Sequence, residues 1–299
     1  MKGAPDSGKK IKRVDLTKTV LSSARDIAKE TKVKAIFVYL DALPEPAHLA
    51  VLKGGADVFV ITRNKQVEKE VMEVARKVLV APPVALTRMG QVKVGVIMAL
   101  ALNLIAVGDK IVCLTGLPEL QNLDTISVLE IGKEFELLSS LDHAAVTEST
   151  SPEVFQAVLS LALELANQGR EGKSVGAIFV IGDQDKVYQY SRQMIINPFK
   201  GYAASDRNIL DATLKDTIKE FSTLDGAFVI TGAGIVMCAG RHLNAAYTGE
   251  GLPHGLGARH AAAAAITGVA KAVAITISES TGTVTIFKDG KILMEIERP

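Results

Sequence analysis

The sequence has no tryptophan, only two cysteines, an aromatic content of 5% and a formal net charge of +1 at pH 7. Cys113 and Cys238 each lie in an apolar, strand-like run, so both are expected to be buried, reduced thiols. A net charge so close to zero gives no strong attraction to nucleic acid or to an anionic membrane. These absences exclude a disulfide-rich secreted module and a strongly basic nucleic-acid-binding protein.

Long hydrophobic runs are also missing. The most apolar stretch, residues 94–107, is shorter than the roughly 20 residues of a membrane-spanning helix, and Gly108-Asp109 end it. The start of the chain lacks the charged segment, apolar run and cleavage site of a secretory signal. The basic residues from Lys9 to Arg13 are expected to form a solvated tail. We therefore expect a cytoplasmic protein that binds neither nucleic acid nor membrane.

The first half of the chain alternates strand and helix patterns. This rhythm predicts a doubly wound, mostly parallel sheet with helices on both faces. The loop Thr115-Gly116-Leu117-Pro118 follows a strand, where such a sheet could bind a ligand, although an ordinary turn is the favoured interpretation. The predicted strands are 35–39, 57–61, 78–80 and 111–114, and the predicted helices are 15–30 (capped by Asp15), a short one before Gly54, 65–77 and 91–106.

The second half predicts a mixed sheet, because hairpins replace strict crossovers. A chain of 299 residues is long for one core, and the polar segment 133–151 is the natural linker, so we predict domains 1–145 and 146–299. The predicted elements are helix 152–168, strand 175–182, a hairpin into 186–190, helix 207–222, strands 225–230 and 235–239, helix 258–270, and strands 272–278 and 283–288.

Several stretches resemble functional motifs, but the predicted elements around them argue against those functions. Gly172-Lys173-Ser174 follows a helix and precedes a strand, the reverse of a phosphate-binding P-loop. Gly232-x-Gly234 lies between two strands and lacks the third glycine of a dinucleotide fingerprint. His48, His143 and His254 show no metal-ligand spacing. The functional residues must be sought elsewhere.

Asp225 is the first candidate. Asp-Gly is a common turn dipeptide, but here a predicted helix leads directly through Asp225-Gly226-Ala227 into a strand. This places a carboxylate at a helix-to-strand junction, where Gly226 could allow close approach of a ligand. A hard divalent cation that bridges phosphates binds one or two such carboxylates.

Arg259 and His260 are the second candidate. The chain has two Arg-His pairs, and only the pair at 259–260 begins a helix, directly after Gly255-Leu256-Gly257. A helix N-terminus attracts anions, and an arginine adds forked donors, so this pair is the better phosphate site than Arg241-His242. Glu279, at the end of a predicted strand, offers a second carboxylate for a metal or is simply a turn residue.

The three segments together resemble the diadenylate cyclase (DAC) domain, in its archaeal form behind a pyruvate-kinase-like domain. The matching motifs are Asp225-Gly226-Ala227, Leu256-Gly257-Ala258-Arg259-His260-Ala261-Ala262 and Ser278-Glu279-Ser280-Thr281-Gly282. The resemblance covers about residues 150–290, and the strand from Val175 to Ile181 is similar to the family's first core strand. Residues 107–116 with Asp124-Thr125 resemble the C-terminal domain of pyruvate kinase, which implies a fold and not kinase activity.

Two positions depart from the family pattern. Ala261 stands where the bacterial pattern has a second arginine, and Ala258 stands where many relatives have threonine. One phosphate donor is therefore missing, and Arg241, His242 and Arg207 are the candidates to replace it.

The resemblance implies the condensation of two ATP into cyclic di-AMP with release of two pyrophosphates, assisted by Mn²⁺ or Mg²⁺. Asp225 and Glu279 would hold the metal, Arg259 and His260 would neutralise phosphate charge, and Gly226, Ala227, Gly257, Ala258 and Ser278 would complete the ATP site. A two-fold symmetric product implies a homo-oligomer with facing DAC domains. The alternatives are a non-catalytic sensor of ATP or cyclic di-AMP with a DAC-like fold, and a phosphotransferase centred on the first half.

Overall fold

The protein folds around two β-sheets, one in each half of the chain. The structure, a computed structural model, describes residues 16–133, 148–246 and 257–299. The first unit comprises α1 (Leu16–Thr31), β1 (Ala35–Tyr39), β2 (Asp57–Thr62), α2 (Glu68–Val71), β3 (Lys77–Val80), α3 (Arg88–Ala101), β4 (Lys110–Thr115) and β5 (Thr125–Glu130). The second unit comprises α4 (Pro152–Gln168), β6 (Ala177–Gly182), α5 (Gln184–Gln189), β7 (Ser191–Gln193), α6 (Leu214–Phe221), β8 (Ala227–Ile230), β9 (Val236–Leu243), α7 (Ala258–Val269), β10 (Ala272–Ile277), β11 (Val284–Lys288) and β12 (Lys291–Ile296).

The first sheet has the order β3-β2-β1-β4-β5. Its first four strands run parallel, and β5 is antiparallel to β4. Every residue of the central strand β1 is buried, as expected for a strand covered on both faces. The mostly parallel sheet is therefore confirmed, and the antiparallel edge strand β5 is an addition that the sequence pattern did not predict.

Two predicted helices of the first unit are shorter or differently coiled in the structure, whereas α1 has the predicted length. The predicted helix 65–77 is a 3₁₀ turn at Lys65–Val67 followed by the four residues of α2, and the segment before Gly54 is also 3₁₀. The longer α3 packs closely on the sheet at Gly95, where an added Cβ would lie 2.5 Å from Cδ1 of Ile61. The cap predicted at Asp15 lies outside the described residues.

The second sheet has seven strands in the order β12-β11-β10-β6-β8-β9-β7. Only β6 and β8 are parallel neighbours, and every other pair is antiparallel. The predicted mixed sheet is confirmed. The sequence pattern missed the edge strand β12, which proves to border the candidate site.

Two predictions in this unit were wrong in detail. The predicted hairpin into 186–190 is the helix α5, because the Asp183 side chain accepts a hydrogen bond from the Lys186 amide at 3.3 Å and caps a helix instead of closing a turn. The predicted helix 207–222 begins only at Leu214. Asn208 and Asp211 accept hydrogen bonds from amides two residues ahead, and such side-chain turns compete with helix formation.

The two units share one continuous apolar core. Helix α3 of the first unit contacts α4 and β12 of the second. Cys113 and Cys238 are both buried free thiols, as predicted. Among the described residues, the helices are all too short or too polar to cross a membrane. The predicted boundary at residue 145 lies outside the described residues and stays a prediction.

Candidate active site

The three predicted motifs of the second half line one open cavity of about 930 Å³. Its walls are formed by Asp225 just before β8, the N-terminus of α7, the turn after β10, and the C-terminal end of β12. Ligand sites for small molecules commonly have volumes of about 300–1,000 Å³. The lining residues are Asp225, Gly257, Ala258, Arg259, His260, Ile277, Ser278, Glu279, Ser280, Thr281, Thr283, Glu295 and Glu297.

Asp225 presents its carboxylate to solvent at the mouth of this cavity. It follows α6 and precedes β8, so the predicted helix-to-strand junction is present. The side chain is 86% exposed, its Oδ1 accepts a hydrogen bond from the Gly226 amide at 3.0 Å, and Arg259 Nη2 lies 3.9 Å from Oδ1. A carboxylate with so few partners has lone pairs available for a cation or a hydroxyl proton.

Gly226 and Ala227 contribute to the fold and do not line the cavity. Gly226 has φ +102°, and an added Cβ would lie 2.7 Å from the Arg241 amide nitrogen and 2.8 Å from Cε of Met194. The close approach of strand β9 by itself requires a glycine here, and the expected role of Gly226 in ATP binding stays a prediction. Ala227 is fully buried and opens β8 opposite Ile178.

Arg259 lies in the first turn of α7, whose N-cap Gly257 offers no side-chain cap. Its Nη1 donates to Glu279 Oε2 at 3.0 Å, so one guanidinium lies between the carboxylates of Asp225 and Glu279. The Arg259 side chain is 36% exposed, which leaves donors free to face the cavity. An arginine beside the free amides of a helix N-terminus is suited to bind phosphate.

Gly176, just before β6, makes room for this arginine. A Cβ at this position would lie 2.4 Å from Nη1 of Arg259 and 3.0 Å from Cβ of Glu279. Sequence reasoning missed Gly176, because a glycine at the start of a strand has no motif of its own. The signal becomes visible only when β6 and α7 are placed side by side.

His260 lines the cavity but is largely buried. Its Nε2 lies 3.4 Å from Thr285 Oγ1, and the ring contacts Phe287 edge to face at 5.9 Å. Burial lowers the pKa of His260 below its ordinary value of 6.5, against the opposing charge of Glu295. Burial therefore works against the cationic role expected for His260, and that role stays a prediction.

The turn after β10 is rich in hydroxyl groups. Ser278 Oγ lies 3.3 Å from Ser280 Oγ and accepts a hydrogen bond from the Thr281 amide at 3.3 Å. Gly282 closes the turn with φ +71°, and its amide donates to the Ser278 carbonyl at 2.8 Å. The turn thus brings the Glu279 carboxylate and four side chains with hydroxyl groups to the cavity wall. The four are Ser278, Ser280, Thr281 and Thr283.

Glu295 and Glu297 complete the wall, and sequence reasoning missed both. Thr285 Oγ1 donates to Glu295 Oε1 at 3.4 Å. The same hydroxyl contacts His260, so Thr285 connects the histidine on α7 to the glutamate on β12. Glu297 follows β12 and pairs with Lys93 of the first unit. The cavity is therefore lined by four carboxylates and, in the described part of the chain, by a single arginine.

The candidates to replace the missing second arginine lie elsewhere. Arg241 Nε donates to Ser191 Oγ at 2.7 Å, and its guanidinium stacks on Tyr188. Arg207 donates to the carbonyl of Val236 at 2.8 Å. These two arginines and His242 are not among the lining residues, and Ala261 is exposed on α7.

The donor set fits a divalent cation that is held together with phosphates. Asp225 and Glu279 flank one guanidinium, and hard cations such as Mg²⁺ are commonly bound by one or two carboxylates plus phosphate oxygens. Within the residues that the structure describes, no cluster of three or more metal-ligating side chains occurs. The protein alone does not form a closed metal cage here.

Two protein-family sequence models match the chain, one in each half. Residues 16–138 match a family described as "Probable sensor domain DacZ_P". Residues 164–292 match the DAC family, described as "DisA bacterial checkpoint controller nucleotide-binding". The second match contains all of the predicted site residues.

A solved structure also resembles part of the chain. A double mutant of DacA from Staphylococcus aureus is 24% identical, with 49% of this chain and 87% of that chain covered, at a TM-score of 0.33. That score is too low to support a structural inference.

Two relatives that carry the name diadenylate cyclase are considerably more similar. The protein from Methanocaldococcus jannaschii is 40% identical over 205 residues, which cover 68% of this chain and 65% of the relative. The protein from Haloferax volcanii is 37% identical over 207 residues, which cover 69% of this chain and 75% of the relative. The match to the first relative thus spans slightly less than two thirds of its length. The identity and coverage of the second confirm the expected relationship: this chain belongs to the diadenylate cyclase family.

Proposed function

We propose that this protein condenses two ATP molecules into cyclic di-AMP and releases two pyrophosphates. In each of two steps, the 3′-hydroxyl of one ATP attacks the α-phosphorus of the other, a P–O bond forms, and pyrophosphate leaves with its electron pair. The observation that carries the proposal is that Asp225, Arg259 and Glu279, from three separate segments, line one cavity in a member of this family.

Asp225 is the proposed metal ligand and the acceptor of the hydroxyl proton. Its exposure and its single short hydrogen bond support this role. Glu279 is the second proposed metal ligand, and binding the cation there would release Arg259 toward phosphate. A bound Mn²⁺ or Mg²⁺ would supply positive charge against the developing negative charge on the α-phosphate.

Arg259 and the N-terminus of α7 are the proposed phosphate clamp. The amides of Ala258 and Arg259 lie in the first turn, where no helical carbonyl accepts from them, and Ser278 adds a hydroxyl donor. We assign His260 a positioning role: through Thr285 it holds the start of α7 against the sheet. Positioning and electrostatics provide most of the catalysis in such phosphoryl chemistry.

Two subunits are needed for one product. Cyclic di-AMP is two-fold symmetric and each cavity would present one ATP, so two cavities must face each other. The open form of the cavity and the exposed Asp225 side chain support a second subunit at this face. We infer a homo-oligomer in which the site is complete only between two second units, in the cytoplasm where ATP is available.

The first unit is proposed to regulate or assemble the second. Its match to a family described as a sensor supports regulation, and the pyruvate-kinase-like character expected from the sequence, with a boundary near residue 145, remains a proposal. A non-catalytic nucleotide sensor is less well supported, because both curated relatives carry the name of the enzyme. The phosphotransferase alternative has no supporting feature.

The test of the activity is product formation. Purified protein is incubated with ATP and Mn²⁺ or Mg²⁺, and cyclic di-AMP and pyrophosphate are quantified by chromatography. We expect one cyclic di-AMP per two pyrophosphates, and a fall of roughly 10²-fold or more in rate for Asp225→Asn. The matched control is Asp216→Asn, which changes an exposed aspartate on α6 outside the cavity. Wild-type protein that forms no product contradicts the activity, and equal rates for wild type and Asp225→Asn contradict the site.

A further inference from the structure

A lysine of the first unit forms an ion pair with a carboxylate of the cavity. Lys93 Nζ lies 2.8 Å from both Oε1 and Oε2 of Glu297. The Lys93 side chain is only 14% exposed, whereas that of Glu297 is 54% exposed. The mostly buried ammonium of Lys93, in the first unit, is therefore paired with a carboxylate in the wall of the candidate active site, in the second unit.

The first unit holds Lys93 in place through α3. The Gln91 side chain donates to the Gly116 carbonyl at 2.8 Å, and Arg88 forms an ion pair with Asp124. Both contacts bind the start of α3 to the segment that follows β4. On its other side α3 contacts β12, which ends one residue before Glu297. A displacement of α3 relative to the second sheet would therefore change the partner of Glu297.

The charge balance of the cavity gives this pair its importance. Among the described residues, Asp225, Glu279, Glu295 and Glu297 line the cavity with one arginine, although the proposed substrate is itself strongly anionic. Lys93 offsets the charge of Glu297. Without Lys93, an uncompensated carboxylate would stand in the wall that faces the triphosphate. For two unit charges on the order of 8 Å apart, at effective dielectric constants of about 30 to 60, this repulsion corresponds to roughly a three- to tenfold loss of affinity.

We propose that Lys93 is a positioning residue through which the first unit sets the affinity of the second for nucleoside triphosphate. It does so by holding Glu297 as a neutral pair at the cavity wall. The inference rests on the proposed function of the cavity. It adds to that function the specific contact by which one unit acts on the other.

The test compares single and double variants of Lys93 and Glu297 by measuring their affinity for a nucleotide directly. The probe is 3′-deoxy-ATP with Mg²⁺, which lacks the attacking hydroxyl and cannot cyclise, titrated by calorimetry against the full-length protein. We expect Lys93→Met to weaken binding roughly three- to tenfold, and Lys93→Arg to bind like wild type because it keeps the charge. We expect the double variant Lys93→Met/Glu297→Gln to regain wild-type affinity, because the uncompensated charge has been removed.

The matched control is Lys53→Met, which breaks the Lys53–Glu73 pair in the same unit but outside the cavity, and should bind like wild type. A double variant that binds as weakly as Lys93→Met, or a Lys93→Met that binds like wild type, overturns the proposal. The first result would assign Lys93 a packing role. A wild-type protein that binds the probe but forms no cyclic di-AMP contradicts only the cyclase activity, whereas one that does not bind the probe contradicts both.

Discussion

The chain contains the dipeptide Arg-His twice, and the two copies lie in opposite environments. Arg241, on strand β9, directs hydrogen bonds to Ser191, Gln193 and the Tyr188 carbonyl, and stacks on the Tyr188 ring at 4.1 Å. Arg259, at the start of α7, has one carboxylate at 3.0 Å and another at 3.9 Å.

The difference between the two pairs teaches that the number of competing acceptors decides what an arginine can bind. Arg241 has its donors occupied by the protein itself and joins the edge strand β7 to its neighbours. Among the described residues, Arg259 pairs with the side chains of Glu279 and Asp225, which are themselves the proposed metal ligands. The histidines differ in the opposite sense, since His242 is exposed and His260 is buried.

The largest expected effect is on activity, from Arg259→Ala. Removing the one arginine that lines the described part of the cavity should lower kcat/KM for cyclic di-AMP formation by roughly 10²- to 10³-fold, because charge on the transferring phosphate loses its preorganised donors. The measurement is steady-state product formation. Arg241→Ala is the matched variant: it should keep its activity per folded molecule and lose about 1–2 kcal/mol of unfolding free energy through its hydrogen bonds. If the two variants exchanged these effects, the comparison would be wrong.

A smaller effect on activity is expected from Gly176→Ala, which leaves the arginine in place but displaces it. The added Cβ would lie 2.4 Å from Nη1 of Arg259, and the flexible guanidinium must move. We expect roughly a tenfold fall in kcat/KM with a melting temperature close to that of wild type, since even small misplacement of a catalytic group is costly. Gly55→Ala is the control, because its nearest neighbour would be 3.7 Å away. Unchanged kinetics in Gly176→Ala would contradict the placement of Arg259.

The smallest effect concerns the two histidines and pH. Burial lowers the pKa of His260 below 6.5, so the unfolded state binds a proton more readily than the folded state. The stability that His260 contributes is present above about pH 6.5 and is lost as the pH falls through its lowered pKa. The slope is at most about 1.4 kcal/mol per pH unit. Denaturant unfolding from pH 7.5 to 5 should show this slope reduced in His260→Gln and retained in His242→Gln. An identical slope in both would show that His260 is not the group responsible.

The sequence was sufficient to predict the bounds of an element where single residues at its ends determine the backbone geometry. Helix α4 runs from Pro152 to Gln168 as predicted, because Ser151 caps it and Gly169, with φ +62°, ends it. Helix α5 shows the opposite case. The run 186–190 contains residues typical of strands, but the cap formed by Asp183 is a stronger local interaction. The edge strands β5 and β12 were missed because an edge strand is defined by its neighbour and not by its own pattern.

The residues of the candidate site also separate into those that local motifs predict and those that only the fold brings together. Asp225, Arg259 and Glu279 were predicted because each stands in a motif at an element boundary. Gly176 and Glu297 have no such motif, and their roles depend on residues 83 and 204 positions away in the chain, Arg259 and Lys93. His260 was predicted as well, but only the fold shows that it is buried beside Thr285 and Phe287.

The sequence by itself determined the family, the two sheets and the residues that carry the motifs, because these depend on local periodicity and on short spacings. The tertiary structure alone decided which arginine lines the cavity, that His260 is buried, and that four carboxylates line the same cavity. Those properties arise from burial and from contacts between distant segments. The pairing of Lys93 with Glu297 is the clearest example, since only the packing of α3 against β12 brings these two charges together.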